Sequence, residues 1–190
     1  SRVKKGVLYL DGTPLTSERI RAEMHKLLLD LGCSATDTIV ACGKDTAIPH
    51  AVGNGPLLAD EPIVIDLFPR DDATGYYSDM TRTVVKGEPS AEIREMFEAV
   101  KDAHNLAASG VRAGVTGAGV HQKVIDLFSE RGYGTGTAGF VHNLGHGIGL
   151  EVHEEPSLGP SGGMLSSGNV ITIEPGLYYH GIGGVRLEDV

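Results

Sequence analysis

The sequence has no tryptophan and only two cysteines, Cys33 and Cys42, in 190 residues. Two cysteines cannot build a disulfide framework or a four-cysteine zinc site, and the composition fits a protein of the reducing cytoplasm. Basic residues are also few: 16 lysines and arginines against 25 aspartates and glutamates give a net charge of −9. This balance argues against a protein that binds nucleic acid or an anionic membrane. No apolar run approaches the roughly 20 residues that span a bilayer.

Glycine and histidine are abundant instead, with 27 glycines and 8 histidines. Glycine is therefore about twice as frequent as its usual share of roughly 7%. It lets the backbone turn tightly and approach a ligand closely, and histidine is a common metal ligand and proton carrier. The combination favours an enzyme. The length and the 41% apolar content predict one domain over residues 1–190.

Apolar periodicity and turn residues predict an α+β chain. Residues at helical spacing predict three helices, each followed by a glycine: Ser17–Leu31, Ser90–Ser109 and Thr116–Arg131. Segments rich in β-branched residues predict six strands: Thr38–Cys42, Pro62–Phe68, Tyr76–Val85, Gly139–Asn143, Asn169–Glu174 and Gly184–Val190. Residues 134–139 match Gly-x-Gly-x-x-Gly, but they precede a strand rather than follow one, so we interpret them as a turn.

Two parts of the chain repeat one pattern of strand, acid, loop, strand and acid. The four acids in matching positions are Asp66, Asp79, Glu174 and Glu188. A carboxylate at the end of a buried strand is costly unless it is paired or bound to a metal. For each acid alone, an ion pair with an arginine such as Arg82 or Arg186 is the simpler interpretation. Four matched acids favour a shared site at the seam between two similar halves.

Three histidines, His142, His146 and His153, fall within twelve positions, with glycines on both sides of the middle one. A single histidine is most often a hydrogen-bonded structural residue, whereas this density indicates a site that a ligand approaches closely. The spacing is not that of the His-Glu-x-x-His zinc proteases. A fourth histidine, His50, lies in a loop rich in glycine and proline, where an ordinary loop residue is an equally good interpretation.

At these residues the sequence resembles the pita-bread metallopeptidase family, which includes methionine aminopeptidase, aminopeptidase P, prolidase and the related creatinase. Five segments carry the resemblance, in the family's order: Ile48–His50, Ser78–Thr83, Gly145–Pro156, Ile173–Gly176 and Gly184–Asp189. The resemblance implies an α+β pita-bread fold, with two pseudo-symmetric αβ halves around a central antiparallel sheet.

The resemblance also implies a centre of two divalent metal ions. Its ligands, carried over by motif, are Asp66, Asp79, His146, Glu174 and Glu188. Manganese is the metal we expect first, and the oxygen-rich ligand set with one imidazole also suits Co²⁺, Fe²⁺ or Zn²⁺. The family usually has Asp-x-Gly at the first ligand, and here Asp66-Leu67-Phe68 lacks the glycine. The loop to Asp79 is two residues longer than usual, which preserves strand parity, so both acids can face inward.

The remaining roles follow from the same resemblance. Glu174, besides binding metal, would move a proton, and His50 and His153 would stabilise the tetrahedral intermediate. His142 and Arg186 would contact the substrate.

The segments around Pro156 and Glu188 look more like aminopeptidase P and prolidase than like methionine aminopeptidase. We therefore expect hydrolysis of the Xaa-Pro bond, in dipeptides or at peptide N-termini, by a hydroxide that bridges the two ions. The alternatives are a methionine aminopeptidase-like activity and a non-catalytic binding module of the same fold. We also expect a catalytic domain that is a fragment of a longer protein, lacking an N-terminal helix or domain and the last strand. A short peptide is the expected partner, and a homodimer is compatible with the resemblance.

Overall fold

Three helices form at the three predicted segments in the computed structural model, which describes residues 2–190. They are α1 (Ser17–Asp30), α2 (Ala91–Gly110) and α3 (Gly117–Glu130). Each begins after a hydroxyl side chain that accepts a hydrogen bond from a backbone N–H of the first turn; these caps are Thr16, Ser90 and Thr116. Gly32 and Gly132 follow α1 and α3 at positive φ, 73° and 79°, and end the helices without strain.

In the described part of the chain, ten short strands form four antiparallel sheets. An N-terminal sheet contains β1 (Arg2–Lys4), β2 (Val7–Leu10) and β3 (Thr13–Pro14). A second sheet has the order β5 (Ile39–Cys42), β6 (Pro62–Leu67) and β8 (Met80–Val85). The short strands β4 (Cys33–Ser34) and β7 (Arg70–Asp71) pair with each other, and β9 (Gly176–Tyr179) pairs with β10 (Gly183–Arg186). A 3-10 helix, Gly43–Ala47, follows β5.

Each half of the molecule has its own apolar core. Helix α2 packs against both α3 and the β9–β10 hairpin, and the core there includes Val124, Phe128 and Leu177. Helix α1 packs against β5, and the smaller core there includes Val40 and Ile63. The observed α+β fold of two helix-backed halves with antiparallel sheets is the one that the sequence predicts.

The two halves meet along β8 and β10. The hydroxyl of Thr83 donates to the carbonyl oxygen of Arg186 at 2.8 Å and accepts from its backbone N–H at 3.0 Å. One step further along, the backbone N–H of Glu188 donates to the carbonyl oxygen of Thr81 at 3.1 Å. These bonds bring the inner face of the β6–β8 hairpin against the end of the β9–β10 hairpin.

Two predicted strands are wrong. Gly139–Asn143 and Asn169–Glu174 form no strand, and only isolated bridges occur in them, such as Gly139 with Tyr178 and Ile173 with Asp189. Gly139 has φ 83°, which breaks the extended conformation that its neighbours would need. The predicted Tyr76–Val85 strand begins later, at Met80, and the last predicted strand is the shorter Gly183–Arg186. Among residues 2–190, no helix has the length and apolarity needed to cross a membrane.

Candidate metal centre

The first two acids lie on the inner face of the β6–β8 hairpin. Asp66 is in β6, opposite Thr81 of β8, and Asp79 directly precedes β8. Both side chains are buried, although the loop between them is long. The alternation of β8 also buries Thr81 and Thr83 and exposes Met80 and Val84. The predicted strand parity is therefore preserved, and both acids line one cavity.

The other two acids face each other in the second half. The Ile173–Asp189 bridge continues the register of β9 and β10, which places Glu174 opposite Glu188. Glu188 is only 2% exposed, and one of its carboxylate oxygens accepts a hydrogen bond from the Thr81 hydroxyl at 2.7 Å. Glu188 therefore connects the second half of the molecule to strand β8 of the first half across the seam.

His146 is held beside these acids by a tightly packed loop. A Cβ on Gly145 would lie 2.0 Å from the carbonyl oxygen of Thr172, and one on Gly147 would lie 2.3 Å from that of Glu155. Only glycine permits this approach. The Nδ1 atom of His146 lies 3.0 Å from the carbonyl oxygen of Gly147, so Nδ1 carries the proton and donates it. The other ring nitrogen, Nε2, is turned toward the acids.

The distances at Nε2 define the centre. Nε2 lies 3.3 Å from a carboxylate oxygen of Glu174 and 3.9 Å from one of Asp79. Ligand atoms of Asp79, His146 and Glu188 all lie within 4.8 Å of one another. Asp66, Asp79 and Glu188 each have one buried carboxylate oxygen without a hydrogen-bond partner. Buried, unpartnered oxygens around one imidazole fit a divalent cation, which would satisfy them.

Crowding of the carboxylates changes their affinity for protons. Burial, with the nearby charges of Asp66 and Glu174, raises the pKa of Asp79 to about 7. Burial and the charges of Glu174 and Asp79 raise the pKa of Glu188 to about 9. Burial also acts to raise the pKa of Glu174 and is the largest single effect, but the hydrogen bond with His146 and the charges of His142, His146 and Arg186 together lower the pKa. The centre concentrates more negative charge than its own side chains neutralise, and a bound cation would remove the excess.

Asp66 differs from the other three acids because it has an arginine partner. One Asp66 oxygen accepts from Nη2 of Arg186 at 2.7 Å, and the Arg186 side chain is only 3% exposed. Of the two interpretations that the sequence left open, the ion pair with arginine thus applies to Asp66. Its other carboxylate oxygen has no hydrogen-bond partner, so Asp66 can pair with Arg186 and still offer this oxygen to a metal ion.

Arg186 begins a chain of hydrogen bonds along the cavity wall. Its Nη1 donates to the hydroxyl of Tyr178 at 2.8 Å. The Nδ1 of His142 donates to the carbonyl oxygen of Asn143 at 2.7 Å, so Nε2 accepts from the Tyr178 hydroxyl at 2.9 Å. Burial lowers the pKa of His142, which keeps the ring neutral. Sequence reasoning missed Tyr178, because it predicted no strand where β9 forms.

His50 and His153 complete the set of predicted residues. Both line the same cavity of about 1090 Å³ as the four acids and the imidazole of the centre. The rings of His153 and His146 are in contact, with centroids 4.3 Å apart. Burial and the neighbouring His146 lower the pKa of His153. The structure thus brings all nine predicted site residues to one cavity, although they are spread along the chain from residue 50 to residue 188.

Comparisons with known proteins identify the family of the chain. The model of metallopeptidase family M24 matches residues 1–190. The Xaa-Pro dipeptidase of Pyrococcus furiosus is 40% identical over 157 residues, which cover 82% of this chain and 44% of that protein. The structure of a prolidase from the same organism superposes with a TM-score of 0.87 at 36% identity, covering 93% of this chain and 52% of the other. An X-Pro aminopeptidase from Thermotoga maritima gives a TM-score of 0.85 at 36% identity, covering 92% and 49%. The chain spans about half the length of these relatives.

Proposed function

The chain belongs to metallopeptidase family M24 and has the pita-bread fold, and from this premise we propose that it hydrolyses the Xaa-Pro bond of peptides as a metal-dependent exopeptidase. One observation carries the proposal: Asp79, His146 and Glu188 place their ligand atoms within 4.8 Å of one another at the wall of a large cavity. The Xaa-Pro specificity is supported by relatives named Xaa-Pro dipeptidase, prolidase and X-Pro aminopeptidase.

The proposed cofactor is a pair of divalent ions, manganese first. The proposed ligands are Asp66, Asp79, His146, Glu174 and Glu188. Four carboxylates balance the four charges of two such ions, which would offset the penalty of burying the acids. Divalent ions at this position supply Lewis-acid polarisation of a carbonyl and a nucleophilic water at neutral pH.

The other roles belong to side chains of the cavity wall. Glu174 accepts the proton of the attacking water and delivers it to the leaving proline nitrogen. His50 and His153 donate hydrogen bonds to the oxygen that becomes negative in the transition state. His142 and Arg186 form the substrate wall, where the Tyr178 hydroxyl holds both side chains in place. A non-catalytic binding module is less well supported, because such a module has no need of buried, unpartnered carboxylates.

The test is hydrolysis by the full-length protein after dialysis against a chelator, with and without added Mn²⁺ or Co²⁺. We expect peptides that begin with Ala-Pro to be cleaved only with metal, and matched peptides that begin with Ala-Ala to be poor substrates. Equal activity with and without metal would contradict the metal-dependent mechanism. Preference for peptides that begin with methionine, whatever the second residue, would favour the methionine aminopeptidase alternative. The cytoplasmic location and the homodimer stay predictions.

A further inference from the structure

The charges that line the cavity are strongly unequal. Within the described part of the chain, seven lining residues are acids and Arg186 is the one lysine or arginine among them. Four of the seven acids are the proposed metal ligands, whose charge two divalent ions would balance. The acids that remain are Asp37, Glu154 and Glu155. Apart from the proposed metal ions and the four lining histidines, the groups that a charged substrate meets in this cavity are therefore these three carboxylates and Arg186.

Arg186 is not available to bind a substrate carboxylate. Its Nε donates to the Thr81 hydroxyl at 3.1 Å, and its Nη2 donates to Asp66 at 2.7 Å. Its Nη1 donates both to the Tyr178 hydroxyl and to the carbonyl oxygen of Pro49, at 2.8 and 3.2 Å. Four of the five N–H groups of the guanidinium are thus used, and the side chain is almost fully buried. Turning it toward a substrate would leave Asp66 buried without its partner.

The three remaining acids are exposed at the mouth of the cavity. Glu155 accepts from the backbone N–H of Ser157 at 3.0 Å, and Glu154 accepts from that of Glu151 at 2.9 Å. These bonds hold both carboxylates near the rim. Asp37 precedes β5 at φ 55°, a conformation that aspartate and asparagine tolerate better than most residues. The mouth of the cavity therefore carries negative charge that no described lining cation offsets.

This negative charge affects a substrate that has a carboxylate close to the scissile bond. In a free Xaa-Pro dipeptide, the C-terminal carboxylate belongs to the proline itself, within about 3.8 Å, one residue, of the reacting bond. It must enter the cavity, where the carboxylates at the mouth repel it and no free lysine or arginine among the described lining residues binds it. In a longer peptide a neutral amide takes its place. On the basis of the proposed function, we propose that the substrates are peptides of three or more residues that begin with Xaa-Pro, and that Asp37 and Glu155 disfavour free dipeptides.

The experiment compares Ala-Pro, Ala-Pro-amide and Ala-Pro-Ala with the manganese-loaded full-length protein at low salt. The first two differ only in the charge of the terminal group. We expect kcat/KM to be at least about tenfold higher for the amide and the tripeptide than for the free dipeptide, which corresponds to about 1.4 kcal/mol. Equal or faster cleavage of Ala-Pro would overturn the inference and leave the proposed function intact. Failure to cleave any of the three with metal present would instead contradict the proposed function.

The double variant D37N/E155Q tests the source of the preference. Asparagine suits the positive φ of residue 37, and glutamine keeps an oxygen for the Ser157 bond, so both changes remove charge with little strain. We expect the ratio of kcat/KM for amide over dipeptide to fall several-fold toward one. The control E95Q/E130Q removes the same charge from exposed positions on α2 and α3, and should leave the ratio unchanged. A ratio that D37N/E155Q leaves unchanged would overturn the inference.

Discussion

Replacing Glu188 by glutamine should have opposite effects on the metal-free and the metal-loaded protein. Glutamine has nearly the same shape, so the Thr81 hydroxyl keeps a hydrogen-bond partner. The change removes a carboxylate that is 2% exposed and that lies beside Asp79 and His146. Without metal this buried charge destabilises the folded state, whereas with metal it is a ligand.

The magnitude follows from the pKa of Glu188. Folding raises it from an ordinary value of 4.5 to about 9. Because the folded carboxyl holds its proton more tightly, the metal-free protein loses stability as the pH rises from 4.5 to about 9. At pH 7 the loss is about 3 kcal/mol, at about 1.4 kcal/mol for each pH unit above 4.5. Glutamine does not titrate, so metal-free E188Q should be more stable than metal-free wild type by up to this amount.

The assay is urea unfolding of chelator-treated protein at pH 5, 7 and 8.5, repeated with excess Mn²⁺. Wild type should gain stability with metal, by roughly 3 kcal/mol at 100 times the dissociation constant, and E188Q should gain little. Metal analysis should show lower metal content in E188Q. The control E95Q changes an exposed acid on α2 and should follow wild type throughout. Metal-free E188Q that is less stable than wild type at pH 7, or that retains full metal content, would refute the reasoning.

Three further predictions concern other parts of the site. His153→Ala should retain its metal and lower kcat by about 10²–10³, with a smaller change in KM; if it loses metal while E188Q retains it, the histidines rather than the acids are the ligands. Gly147→Ala should lower stability by about 1–3 kcal/mol and displace the His146 loop, because its Cβ would lie 2.3 Å from a carbonyl oxygen. Gly163→Ala, where no atom lies within 4 Å of the added Cβ, is its control, and similar melting temperatures for the two would contradict the argument. Arg186→Met should lower the free energy of unfolding of the metal-free protein by about 3–5 kcal/mol, because Asp66 loses its buried partner. Thermal unfolding measures this change, and a decrease below about 1 kcal/mol would contradict the prediction.

The helices could be predicted because their signals are local. Thr16, Ser90 and Thr116 stand at the starts, glycines stand at the ends, and the apolar spacing between them is regular. The wrong strands lie where the chain is positioned by distant contacts. Segment 139–174 is stabilised by close backbone approaches, such as that of Gly145 to Thr172, which no local pattern encodes. The N-terminal sheet β1–β3 was missed altogether.

The residues that line the cavity were predicted better than the strands around them. Asp66 and Glu174 were found because a carboxylate that follows a buried apolar run is unusual in a sequence, and Asp79 and Glu188 were found because each half repeats a second acid on its next strand. The sequence could not show which arginine pairs with which acid. That Arg186 pairs with Asp66 while Arg82 pairs with Asp189 depends on the register across the seam. The Tyr178 hydroxyl, which connects Arg186 to His142, had no local signal.

The seam between the two hairpins has a consequence for how the protein folds. The Thr81–Glu188 hydrogen bond joins residues 107 positions apart, so it forms only after a long loop has closed, whereas the hairpins and helices of each half are local. The centre is therefore expected to assemble late, when two separately formed halves come together. An ion that binds only the assembled centre stabilises contacts absent from the transition state, so it slows unfolding and leaves the folding rate nearly unchanged. Metal would then determine how long the native state lasts rather than how fast it is reached.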